Sequence, residues 1–218
     1  MFKGKVLLFS LVLLFATSVY AGDVDECESE CWITPGPLRV ATCPLGDFEF
    51  IRDTAPGAAI WVIIRDASGN GIPGIPWTDY WVQACDPLQE LFLCAQPILS
   101  DSMTSNRAGV EGRTTLSGRI AGGGCVQSGG VYIAVQGKVI REKPSCVDPI
   151  CLDLVVVSPD INADGVVDPS DLSFFAQSYN KYFPDPLYNR CADYNHDSGV
   201  DLSDFSFFNS HYRHDCGY

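Results

Sequence analysis

The chain has only three histidines, His196, His211 and His214, all near its C-terminal end. No Ser-His-Asp or Cys-His set can therefore be assembled upstream of residue 196. Basic residues are also scarce, with 14 Lys and Arg against 27 Asp and Glu and a net charge of −13. So little positive charge argues against a nucleic-acid or anionic-membrane partner. The glycine-rich stretch Gly118 to Cys125 lacks a Gly-Lys-Ser/Thr ending and a strand–helix context. It reads as a turn beside a disulfide, not as a phosphate loop. The acids Asp79, Asp86, Glu90, Asp101 and Glu111 form no motif for a paired-carboxylate hydrolase. These absences point to a protein that is not an enzyme.

Residues 1–21 carry Lys3 and Lys5, an apolar core from Val6 to Ala16, and a small-residue end, Val19-Tyr20-Ala21. That is the pattern of a secretory signal peptide, and no later stretch matches the ~20 apolar residues of a spanning helix. The expectation is a secreted protein, extracellular or at the cell surface, with no membrane span. The ten cysteines, at 27, 31, 43, 85, 94, 125, 146, 151, 191 and 216, all follow that leader. An even number behind a leader argues for disulfides. Cys191–Cys216, flanking the last segment, and Cys85–Cys94 are the expected pairings, with Cys27–Cys31 a tight third. Zinc is the rival for such a set, but the spacings are irregular and the histidines are far from most of the cysteines.

Residues 22–157 read as an all-β domain. Ala59 to Arg65 is β-branched and aromatic, is expected to be buried on both faces, and places Trp61 in the core. Leu38 to Thr42, Phe48 to Arg52, Trp77 to Val82, Ile98 to Thr104, Val110 to Leu116, Val131 to Val135, Lys138 to Glu142 and Leu152 to Val157 are further strand candidates. Gly/Pro turns separate them. That spacing predicts a sandwich or barrel. Cys27 to Cys31 reads as a short pinned loop. Val155 to Pro159 is too apolar and short for a tether and predicts a close-packed junction.

Residues 158–218 hold two acidic loops in one register. Asp160, Asn162, Asp164, Asp168 and Asp171 recur as Asp193, Asn195, Asp197, Asp201 and Asp204. These are loop positions 1, 3, 5, 9 and 12 of an EF-hand, with the carbonyls of Val166 and Gly199 at position 7. Two Ca²⁺ ions are expected. Position 6 is Gly165 in the first loop but Ser198 in the second, which predicts some strain in that turn. Leu172, Phe175, Ala176 and Tyr179, echoed by Phe205, Phe208 and Tyr212, form a helical stripe after each loop. Val167 and Val200, both at position 8, are expected to pair the two loops.

These acidic repeats resemble the type I dockerin domain, on Asp160, Asn162, Asp164, Val167, Asp171 and Leu172 and on Asp193, Asn195, Asp197, Val200, Asp204 and Phe205. The resemblance implies one Ca²⁺ per half and helix faces that grip a cohesin. Positions 10 and 11, Pro169-Ser170 and Leu202-Ser203, depart from the Ser/Thr pair often read by cohesin. The middle of the chain is similar to bacterial Ig-like domains of the invasin/intimin kind. The residues that carry this likeness are Trp61 to Pro76, with Asp66-Ala-Ser-Gly69-Asn70-Gly71 at its centre, and Asp101 to Leu116.

The expected architecture is a mainly β Ig-like sandwich plus a small α-helical dockerin/EF-hand-like calcium module. The expected function is calcium-dependent extracellular assembly or adhesion. The partner is a cohesin-like or other extracellular protein, or the chain's own Ig-like domain. The alternative is a carbohydrate-binding module, or a dockerin-tagged component of a polysaccharide-degrading complex. For glycan binding, Trp77, Tyr80 and Trp81 would form a stacking platform, although such residues more often fill a core.

Overall fold

The computed structural model describes residues 22–36, 38–45, 58–94, 104–105, 109, 111–116, 121–142, 147 and 151–217. The leader over 1–21, the strand expected over 48–52, Asp101, Cys146 and most of 98–104 lie outside them. Ten strands come first: β1 (Glu30–Thr34), β2 (Leu38–Ala41), β3 (Ala59–Ile63), β4 (Tyr80–Ala84), β5 (Leu91–Leu93), β6 (Arg113–Leu116), β7 (Gly122–Gly124), β8 (Val131–Val135), β9 (Lys138–Ile140) and β10 (Leu154–Val157). Helix α1 (Pro169–Ser178), β11 (Lys181–Tyr182), β12 (Gly199–Val200) and helix α2 (Leu202–His211) follow. The described chain is thus mainly β with two α-helices, consistent with a β sandwich.

Antiparallel sheets β1-β3-β6 and β4-β8-β9 enclose the main core, together with the parallel pair β10-β2. Strand β8 shows how the pattern builds the layer. Val131, Ile133 and Val135 are buried while Tyr132 and Ala134 between them are partly exposed, as a period of two requires. Strand β3 departs from the expectation. Ile60 and Val62 face the core, but Trp61 is 38% exposed. Successive side chains alternate faces, so Trp61 points outward. There it stacks on Trp32, its cross-strand partner in β1, with centroids 6.1 Å apart and planes 9° from parallel. The segment expected as a pinned loop is therefore partly strand, paired beside β3 in the same sheet.

The disulfides correct both expected pairings. Cys85 is bonded to Cys151, Cys94 to Cys216 and Cys125 to Cys191. The helical unit lies against the sheets, so its terminal cysteines meet cysteines of the β domain instead of each other. Cys27 is disulfide-bonded and Cys31 is a buried thiol, so those two do not pair either. The Cys31 thiol donates to the Ile140 carbonyl at 3.4 Å. Burial, reinforced by Glu142 and Glu30, pushes its pKa up to about 12, which leaves it inert as a nucleophile.

Strand β10 joins the two halves. Leu154 and Val156 belong to the main core, whereas Val155 and Val157 belong to a second core. That second core includes Ala41 and Cys125 from the β half and Val167, Phe175, Tyr194, Val200 and Phe208 from the helical half. An unbroken valine run is what a strand needs when both its faces are covered. Among the described residues no helix is long and apolar enough to cross a membrane.

Candidate metal centre

Each acidic loop runs into a helix through a capping box. Asp168 accepts from Ser170 N, Pro169 fills the first helical position, and Asp171 reaches back to the backbone of Asp168. Asp201 and Asp204 do the same for α2. Side-chain bonds from Ser170, then its backbone N–H, hold the Asp168 carboxyl below its usual range; the backbone N–H and hydroxyl of Ser203 act likewise on Asp201.

The carboxylates at positions 1 and 12 organise the loops from inside. Asp160 accepts from Asp164 N at 3.1 Å and Gly165 N at 2.9 Å. Asp171 accepts from Ile161 N at 2.8 Å and Asn162 N at 3.2 Å. The second loop repeats this closely. Asp193 accepts from Asp197 N at 3.1 Å and Ser198 N at 3.0 Å, and Asp204 from Tyr194 N at 2.8 Å and Asn195 N at 3.3 Å. Asn162 and Asn195 bridge to Asp164 and Asp197, both at 2.9 Å. Position 6 is left-handed in both loops, with φ of 89° at Gly165 and 74° at Ser198. The second loop thus places a side chain where glycine is favoured, as expected.

Val167 and Val200 do not pair with each other. Val200 lies opposite Lys181, just after α1, and Asn180 N donates to its carbonyl at 2.7 Å. Val167 is bonded in the same way by Arg213 N, at 2.8 Å, just after α2. Each loop therefore grips the segment that follows the opposite helix. The backbone that follows each helix thus supplies the partners of the opposite loop's edge.

The electrostatics are one-sided. Asp160, Asp171 and Asp204 are fully buried and Asp193 nearly so. Burial, with the neighbouring carboxylates of Asp171 and Asp164, pushes Asp160 up to about 6. Burial is the chief cause of the upward shifts of Asp171 and Asp204 as well. Among the described residues the ion pairs are Arg65–Glu30 and Lys181–Asp185, and neither involves a loop carboxylate. Buried carboxylates, amide oxygens and carbonyls without a basic partner form the donor set of a hard cation.

Two contributors carry no sequence signal of their own. Tyr188 donates to Asp193 at 2.6 Å. Gly123, in β7, lies against the first loop, where a Cβ would come within 1.8 Å of Asp160 Oδ2. Gly124 N also donates to the Asp160 carbonyl at 2.6 Å. The glycine run expected as a turn is thus a strand stripped of side chains so that the first loop can seat on it.

No protein-family model matches the chain, and no curated protein matches it. Two solved structures from Acetivibrio cellulolyticus show weak likeness. They are a C-terminal and an N-terminal interface mutant of a type II Cohesin-X-Dockerin complex, at 15% and 14% identity. Each match covers 86% of this chain and 97% of the other, with a TM-score of 0.28, too loose a superposition to establish a shared fold.

Proposed function

We propose that the chain is a secreted, non-enzymatic calcium-binding protein of extracellular assembly, built from an Ig-like sandwich and a dockerin-like module held rigidly against it. The observation that carries this reading is the duplication of one buried carboxylate geometry, matched bond for bond between the loops. Asp160, Asn162, Asp164, the Val166 carbonyl, Asp168 and Asp171 hold one Ca²⁺. Asp193, Asn195, Asp197, the Gly199 carbonyl, Asp201 and Asp204 hold the other. Position 9 of such loops often ligates through water, in keeping with the capping roles of Asp168 and Asp201.

The partner surface is the apolar groove between the two helices, lined by Leu172, Ala176, Tyr179, Leu202 and Phe205, with Phe175 also contributing. Leu202 is well exposed there. A cohesin-like or other extracellular protein fits this face, while the opposite side of the module is taken by the chain's own β domain.

Calorimetric calcium titration tests the assignment. The wild-type protein should bind two ions, and Asp164→Ala or Asp197→Ala should weaken one site each by tenfold or more. Gly123→Ala should weaken the first site alone, because its methyl group displaces Asp160. Two unaltered sites in all three variants would refute the assignment. For assembly, a pull-down from the native extracellular fraction should retain a partner in Ca²⁺ and release it in EDTA.

A second reading has one observation in its favour. Trp77 and Trp81 are 41% and 49% exposed, although Tyr80 between them is fully buried. Two outward tryptophans suit the faces of sugar rings. Binding to a polysaccharide panel that disappears in Trp81→Ala would support a carbohydrate-binding role, and no binding to any glycan would exclude it.

A further inference from the structure

The fold gathers a second set of metal-binding side chains, chemically unlike the acidic loops. Cys43 follows β2, His211 ends α2, and His214 lies three residues beyond it. Their ligand atoms all lie within 4.8 Å of one another, and Cys43 Sγ is 3.8 Å from His214 Nδ1. Ligands bound at ~2.3 Å for sulfur and ~2.0–2.1 Å for nitrogen stand roughly 3.5 Å apart around a tetrahedral ion. The three groups thus need only a small contraction to share one. We propose that Cys43, His211 and His214 form a binding site for a borderline divalent cation of the zinc class.

Four observations support it. First, the His211 ring is held at Nδ1, where the Ser210 hydroxyl also lies, at 3.0 Å. Nδ1 lies 2.5 Å from the Phe207 carbonyl, which can only accept, so Nδ1 carries the proton and Nε2 the lone pair. A ring nitrogen bonded to a backbone carbonyl is the usual support of a metal-binding histidine. Second, the loop–helix repeat does not require these histidines. The residues 33 positions earlier are Ser178 and Lys181, where Ser178 instead accepts from Asn189 N at 2.7 Å. Third, Cys43 and His211 are buried while His214 is half-buried, which leaves an edge towards solvent for entry and for a fourth ligand such as water. Fourth, the backbone around the cluster is firmly held. The Cys43 carbonyl accepts from Gly122 N at 3.0 Å, and the His214 carbonyl from Val167 N at 2.9 Å.

Binding requires the Cys43 thiolate, so the thiol proton passes to solvent as the metal–sulfur bond forms. The loops, all oxygen, prefer calcium. This site, with one sulfur and two imidazoles, prefers softer ions. It would pin the end of α2 to the segment that follows β2.

Cobalt(II) added to the mature protein in saturating Ca²⁺ is the direct test. One Co²⁺ per chain should bind with a thiolate-to-metal charge-transfer band, and Zn²⁺ should displace it. Cys43→Ser should abolish the band, and His214→Ala should weaken Co²⁺ binding by tenfold or more. Should Cys43→Ser fail to fold, His214→Ala, at a half-buried position near the chain end, still tests the site. Absence of the band in the wild-type protein overturns the proposal. So does a band that survives Cys43→Ser, which would place the sulfur at Cys31, or Co²⁺ affinity unchanged in a folded His214→Ala. The calcium assignment is tested separately, because the cobalt experiment holds the acidic loops saturated.

Discussion

Removing calcium with excess EDTA is expected to lower the melting temperature by roughly 15 °C or more. Each ion bound a thousandfold above its Kd adds about 4 kcal/mol of stability. In a domain of this size each kcal/mol moves the transition by roughly 2–4 °C. The structure adds a reason for a large effect. Among the described residues, Asp160, Asp171, Asp193 and Asp204 are buried in two groups with no ion-paired cation, so the metal-free loops hold mutually repelling charge. Those loops also carry Val167 and Val200 into the second core, so the cost spreads to Phe175 and Phe208. Calorimetry with and without EDTA measures the effect, and an unchanged transition would defeat the calcium reading.

The same carboxylates give the effect a pH dependence. Without metal, the folded-state pKa of Asp160 is raised to about 6, mainly by burial. A raised carboxyl pKa means the folded chain holds more protons than the unfolded one. The metal-free protein is therefore destabilised as pH rises from about 4 through 6. The proposed calcium-loaded form would require the ionised carboxylate. The stability difference between the two forms should thus shrink as pH falls from 7 to 5.

Loss of the two disulfides between the halves is expected to be the other large effect. Cys94–Cys216 and Cys125–Cys191 span sequence separations of 122 and 66. Loop-closure entropy assigns about 4–5 kcal/mol to bridges of that span, with measured values more often ~2–4. Paired alanine substitution of either bridge should therefore lower the urea midpoint in saturating Ca²⁺. The Cys94–Cys216 pair should also weaken the first calcium site selectively. That bridge ties the chain end to β5, the strand paired with β7, and β7 seats Asp160. Cys216 Sγ would itself lie 3.5 Å from a Cβ at Gly165, in the same loop. Midpoints unchanged in both double variants would show that packing alone holds the two halves together.

Local chemistry was legible from residue order. The helical stripe after each acidic loop is there as a helix, and Asp168 and Asp201, read as loop position 9, turn out also to cap those helices. The alternation in Val131 to Val135 sets which side chains face inward. The apolar run at Val155 to Val157 marks a strand covered on both sides, and each face of β10 does enter a different core. Ser198, without the usual glycine, does sit at positive φ. In each case a short-range rule of sterics or hydrogen bonding decides the outcome within a few residues.

Residue order could not decide pairing across long separations. Cys191 meets Cys125, not Cys216, because the module is turned against the sheets. Trp61 falls on the outward face by strand alternation and stacks there on Trp32, and a strand's apolar content does not reveal which neighbour it will meet. Gly123 is a strand residue because a buried carboxylate needs the space its missing side chain leaves. Cys43 and His214 touch across 171 residues, so their spacing in the chain holds no trace of a common site. The sequence by itself determined the two acidic loops, their helices and the β character of the rest, since these follow from local sterics, capping and periodicity. The tertiary structure alone decided how the halves are fastened, which loop rests on the sandwich and where sulfur meets imidazole, because those contacts depend on the free energy of packing distant segments together.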